Sequence, residues 1–131
     1  MKKDIKIPEV TNVFMAIVKE YNSDFRCDDW NVYLIDNKTT DLEVVLIVSR
    51  GYDEKDQTSI MRKKIERLPA NSYAKVEFIQ PELFKLNNEF KVTFFADNQL
   101  FEKTFLFPKN TIKDSAMRVI KELDKKGIIS K

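Results

Sequence analysis

Between Glu89 and Phe107 apolar and polar residues alternate on both sides of Asp97-Asn98, and this pattern restricts the fold more than any other. A period of two is the mark of a strand with one buried face. Asp and Asn tolerate the positive φ that both central residues of a tight hairpin turn require, so Asp97-Asn98 reads as a two-residue loop. That loop sets Phe94 opposite Phe101, Val92 opposite Lys103 and Phe90 opposite Phe105, with Thr93 against Glu102 on the outer face. A three-residue loop would place Phe94 against Glu102 and destroy the segregation. Five residues, Phe90, Val92, Phe94, Phe101 and Phe105, are thereby predicted to face one core. Phe95, Leu100 and Leu106 stay apolar on the outside.

The rest of the chain gives more short strands. Val13 to Glu20 is an apolar, β-branched run. In Trp30 to Ile35, Trp30, Val32 and Leu34 share one face, with Asn31 and Tyr33 on the other. Asp36 to Thr39 carries turn chemistry, because Asx side chains bond the nearby backbone. In Leu42 to Ser49 one side holds Leu42, Val44, Leu46 and Val48, while Val45 and Ile47 suggest cover on the other. Residues 51–56 read as a charged loop. Within Thr58 to Leu68, Met61, Ile65 and Leu68 fit helical spacing with Ser59 as a cap. An edge strand blunted by Arg62, Lys63 and Lys64 is the preferred reading. Leu68 to Ser72 turns the chain into Tyr73 to Ile79, where Ala74, Val76 and Phe78 alternate with Lys75 and Glu77. Pro81 to Leu86 reads as a plug over one end.

Toward the C-terminus, Ile112, Ala116, Val119, Ile120 and Leu123 recur as the stripe of an amphipathic helix over about 112–126. Thr111 with Asp114 resembles a capping box, and Gly127 stands where a left-handed cap belongs. The helix is expected to dock over Phe95 and Leu100. The fold class follows: mainly β, a seven-stranded antiparallel immunoglobulin-like β-sandwich with one C-terminal α-helix, forming a single domain over 1–131. An α+β sheet with helical cover is the rival.

Composition removes several function classes. Two glycines in 131 residues, Gly51 and Gly127, cannot build a phosphate-cradling loop. Histidine is absent, which removes the commonest general base and neutral metal ligand. The single cysteine, Cys27, allows neither an intrachain disulfide nor a thiolate cluster. No residue set forms a catalytic, cofactor-binding or metal-binding signature, so no cofactor is expected and an enzyme is the less favoured reading. Net charge is +2, giving no global field toward nucleic acid or an anionic membrane. The N-terminus lacks the apolar run of a signal peptide, and no apolar stretch is long enough for a membrane helix. A cytoplasmic location is expected.

Trp30-Asn31-Val32-Tyr33, Ser49-Arg50-Gly51-Tyr52 and Leu68-Pro69-Ala70-Asn71-Ser72-Tyr73 resemble a group of small bacterial proteins of about this length. The similarity runs along most of the chain and implies no activity and no site residues. Some of that group carry the label phenylalanyl-tRNA synthetase alpha subunit. A class II synthetase needs a large catalytic sheet and a glycine-rich, arginine-ended ATP motif, which this chain does not hold, so the label reads as a misassignment. The strand-turn-strand pattern also resembles immunoglobulin-like modules of bacterial adhesion proteins, in fold only.

Candidate contacts are few. Phe95, Leu100 and Leu106, with Tyr33 and Phe84, could form an apolar partner surface. Arg62, Lys63, Lys64 and Arg67 form the densest basic cluster and could meet single-stranded nucleic acid, although a charged edge strand is the preferred explanation. Asp24, Asp28 and Asp29, and separately Asp53, Glu54 and Asp56, are read as solvated loop carboxylates rather than a Ca²⁺ site. Cys27 reads as an ordinary thiol. The leading expectation is a non-enzymatic module that binds a protein partner or self-associates; weak RNA or single-stranded DNA binding is the alternative.

Overall fold

The computed structural model describes residues 8–131 and forms two antiparallel sheets with a shared core between them. Nine strands follow in chain order: β1 (Val13–Asn22), β2 (Cys27–Asp36), β3 (Leu42–Tyr52), β4 (Met61–Leu68), β5 (Ser72–Ile79), β6 (Asn87–Ala96), β7 (Gln99–Phe107), β8 (Arg118–Ile120) and β9 (Lys125–Ser130). One sheet has the order β5-β2-β1-β9-β8, the other β4-β3-β6-β7. All seven strands expected from the sequence form, including the edge strand over 61–68.

The β6–β7 hairpin takes the register expected from its turn. Phe94 pairs with Phe101, Val92 with Lys103, Phe90 with Phe105 and Thr93 with Glu102. Asp97 and Asn98 have φ of 51° and 61°, the positive values such a turn demands. Phe94 stacks on Phe101 at 5.2 Å between ring centres, and Phe90 meets Phe107 edge-on at 5.8 Å. These rings join Met15, Ile17, Val32, Leu34 and Ile47 in the main core. Each such side chain contributes about 1.5–3 kcal/mol on burial. Pro81–Lys85 forms a 3-10 turn whose Leu83 and Phe84 plug the core, with Phe84 edge-on to Trp30 at 5.1 Å.

The C-terminal helix expected over 112–126 does not form. In its place stand a short 3-10 turn (Asp114–Ala116) and the β8–β9 hairpin, which adds to β1 through pairs such as Ile17 with Ile128. The physical reason is a division of labour along the apparent stripe. Ile112 enters the main core, whereas Ile120 and Leu123 pack on the opposite face of the five-stranded sheet against Ala16, Val18 and Ile35. Val119 points to solvent. A single helical stripe cannot serve two faces of one sheet, and β-pairing can.

Two bulges also change the faces read from strict alternation. In β3, Val44 has φ 48° and the ladder to β6 slips between Glu43 and Leu46. Leu42, Val45 and Ile47 are therefore buried, while Val44 and Leu46 lie outside, contrary to the expected grouping. In β5 the pairing moves from Val32–Glu77 to Tyr33–Lys75, leaving Val76 as the extra residue. Phe78, expected inside, is half exposed.

Candidate functional site

The two outer sheet faces differ. The outer face of the five-stranded sheet is roofed in part, since Ile120 and Leu123 close over Ala16, Val18 and Ile35, while Tyr73, Phe78 and Ile129 on the same face stay exposed. Beside that roof Glu20 accepts hydrogen bonds from Asn31 Nδ2 at 2.8 Å and from the Tyr33 hydroxyl at 2.7 Å, and pairs with Lys125. Burial pushes the Glu20 carboxyl up, but Lys125, Tyr33 and Asn31 together outweigh it and leave the pKa lowered. Burial first, then the Glu20 carboxylate, pushes the Tyr33 phenol up. Tyr33 is thus a member of a closed polar cluster on this sheet, far from the β6–β7 hairpin in the topology.

The outer face of the four-stranded sheet has no such roof within the described residues. Cross-strand pairing builds it in rows: Arg67–Glu43–Phe95–Leu100, then Lys64–Leu46–Thr93–Glu102, then Arg62–Val48–Lys91–Thr104, then Arg50–Glu89–Leu106. Phe95 (43% exposed), Leu100 (53%) and Leu106 (41%) stand open to solvent, joined by Val44 and Leu46. Strict alternation groups Val44 with Leu42; its bulge instead places it beside Phe95 at one end of this face. Phe95, Leu100 and Leu106 are brought onto one surface. Tyr33 and Phe84 are not part of it.

The basic run is divided by strand alternation. Arg62 and Lys64 sit on the outer face opposite Val48 and Leu46, while Lys63 lies opposite the inward Ile47. Arg67 is held by Asp41, Nε to Oδ2 at 2.7 Å, and Asp41 also accepts the Ala70 amide at 2.8 Å. That pair fixes the corner where the chain leaves β4 for β5. Lys64 meets Glu66 at 3.2 Å. No single surface collects all four cations.

Of the acidic groups, Asp53 serves its own loop's backbone, whereas Asp28 and Asp29 lie in β2 and not in the loop expected for them, because that strand starts at Cys27. Asp53 Oδ1 accepts the amides of Lys55 and Asp56, which hold its pKa down, and Glu54 pairs with Lys109 at 3.0 Å. Asp29 accepts a hydrogen bond from Asn22, and Asp28 lies 3.9 Å from Lys19. Among the described residues no three His, Cys, Asp or Glu side chains gather as a metal site, and no helix is long and apolar enough to cross a membrane. Cys27 is exposed at the start of β2.

A cleft missed by sequence reasoning opens at the side of the sandwich, between β4 and β5. It encloses about 290 Å³, with Met61, Ile79, Leu83 and Phe90 among its walls and Ser49 and Glu77 at its polar end. Glu77 turns inward because the Val76 bulge pairs it with the core residue Val32. Nothing in the alternation of 73–79 signals that bulge. Burial raises the Glu77 carboxyl above its ordinary value, and the Ser49 hydroxyl beside it offsets this only in part. Glu77 is the one carboxyl in the lining of the cleft.

Comparison of the chain with protein families, with curated proteins and with solved structures gives no match.

Proposed function

We propose that this chain is a non-enzymatic association module whose outer four-stranded face packs against a second copy of itself. The observation that carries this reading is the outer four-stranded face, which leaves Phe95, Leu100, Leu106, Val44 and Leu46 in solvent with nothing packed over them among the described residues, whereas the C-terminal hairpin covers Ala16, Val18 and Ile35 on the other face and leaves Tyr73, Phe78 and Ile129 at its margins. Exposed apolar surface on a small domain is a mark of partner binding, and here Val44, Phe95 and Leu100 gather at one end of the face while Lys91, Thr93 and Glu102 set Leu106 apart at the other.

The face is also self-complementary. Its β4 edge carries Arg62 and Lys64, and its β7 edge carries Glu102. A two-fold axis along the strands lays each copy's β4 over the other's β7, so Arg62 and Lys64 of one copy approach Glu102 of the other, a carboxylate that within its own chain meets Lys91 at 3.4 Å. Such isologous, aligned sheet packing is a common route to dimers. The strand order supports an immunoglobulin-type arrangement for the first seven strands, β1-β2-β5 facing β4-β3-β6-β7, with the β8–β9 hairpin as an addition beside β1. Nucleic-acid binding is less favoured, because alternation divides Lys63 from Arg62 and Lys64, and Asp41 occupies Arg67.

Sedimentation equilibrium tests the proposal. A mass rising toward twice the 15.5 kDa monomer with concentration supports it. A Phe95→Lys variant that sediments as a monomer locates the contact, and Lys at that site suits the facing Glu43. A wild-type chain that stays monomeric at every concentration overturns it.

A further inference from the structure

We propose that the cleft between β4 and β5 is a binding site for a small organic monocation with an apolar body, its ammonium group seated on Glu77. Three observations converge on that ligand class.

The cleft is concave and mainly apolar, as small-molecule sites are. Met61, Ile79, Leu83 and Phe90 form walls for a short hydrocarbon body, in a volume of about 290 Å³. Glu77 supplies the acidic group in that lining, and the β5 bulge aims it inward opposite Val32.

Glu77 also has no counter-ion among the described residues. None of the ion pairs there includes it. Arg50, the cation on the same cleft wall, is taken by Glu89 at 2.9 Å and lies over the Tyr52 ring at 4.6 Å. Lys63 lies in the adjoining recess with Glu77 and does not pair with it. A half-buried carboxylate without a counter-ion costs free energy that an arriving ammonium recovers through a charge-assisted hydrogen bond.

The polar wall suits a donor-rich head. Asn88 spends its Nδ2 on the Leu83 and Leu86 carbonyls, at 3.0 and 3.1 Å, which leaves its Oδ1 as an acceptor. Ser49 is buried beside Glu77. An ammonium carries three donors and no acceptor, matching this set. A carboxylate ligand would meet Glu77 as a like charge.

The probe is hexylammonium, titrated into the intact chain by amide-resolved NMR, with hexanol and hexanoate as matched controls. Saturable shifts at Ser49, Glu77 and Leu83 with hexylammonium are expected, with hexanol about tenfold weaker and hexanoate without effect. Glu77→Gln, which keeps the shape, is expected to weaken hexylammonium about tenfold. Met61→Ala removes apolar wall at an exposed position and weakens binding as well, whichever way Glu77→Gln affects folding. Absence of saturable shifts, equal binding of hexanol, or undiminished binding by either variant overturns the proposal. Phe95 is not among the residues lining the cleft, so Phe95→Lys leaves hexylammonium binding intact and the two proposals fail independently.

Discussion

Gly127 lies so close to Ile17 that a methyl group on its α-carbon would stand 2.6 Å from the Ile17 carbonyl oxygen. The neighbouring side-chain atoms of Ile120 and Val18 would each lie 3.0 Å away. The glycine is required by this close approach of β9 to β1, not by any left-handed backbone, since neither glycine has positive φ.

Gly127→Ala therefore strains the seam that holds the C-terminal hairpin. Overpacking of this kind costs about 1–3 kcal/mol. Urea denaturation should show a lower midpoint with little change in slope. An unchanged midpoint would mean that β9 does not sit against β1 as described.

Val44 holds a left-handed φ of 48°, a conformation that opposes a β-branched side chain. Val44→Gly should stabilise the fold by up to about 1–2 kcal/mol, the penalty an L-residue carries there. The same change strips an apolar side chain from the outer face and should weaken self-association. Thermal unfolding at low concentration separates the two effects from each other.

Asp36 is buried at the end of β2 with Oδ1 accepting the Lys38 amide and Oδ2 without a partner. Burial is the main cause that raises its pKa from 3.8 to about 6; the Lys38 amide and charge lower it in part. The folded state thus prefers the protonated acid. Its contribution to stability is full below pH 3.8 and is lost as pH rises through about 6. Asp36→Asn should raise stability near neutrality and flatten the dependence on pH across that window. Denaturation midpoints at several pH values check the sign; a variant less stable than wild type at neutral pH contradicts it.

Much of the sandwich is legible before any coordinates because the Phe-rich hairpin fixes its own register. Once Asp97 and Asn98 accept positive φ, Phe94 must face Phe101. With so few glycines, most other left-handed turn positions go to Asn and Asp, at Asn12, Asn71, Asn110 and Asp124, with Arg26 the exception in the turn between β1 and β2. The C-terminal segment misleads for a definite reason. Ile112, Ile120 and Leu123 mimic one helical stripe, yet they bury against opposite faces of a sheet, and spacing carries no record of which face each one meets. The bulges at Val44 and Val76 are equally silent, and with them the exposure of Leu46 and the inward turn of Glu77. Phe95, Leu100 and Leu106 could be read as outward from the hairpin register alone. The absence of a roof over them could not, because that depended on the fate of residues 112–126.

The decisive measurement is sedimentation equilibrium on the wild-type chain and Phe95→Lys, side by side. The wild-type mass should rise with concentration toward the dimer, with the variant folded and monomeric. A wild-type protein that remains a monomer throughout, or a variant that dimerises as well as its parent, would contradict the proposal that the unroofed face is where two copies meet.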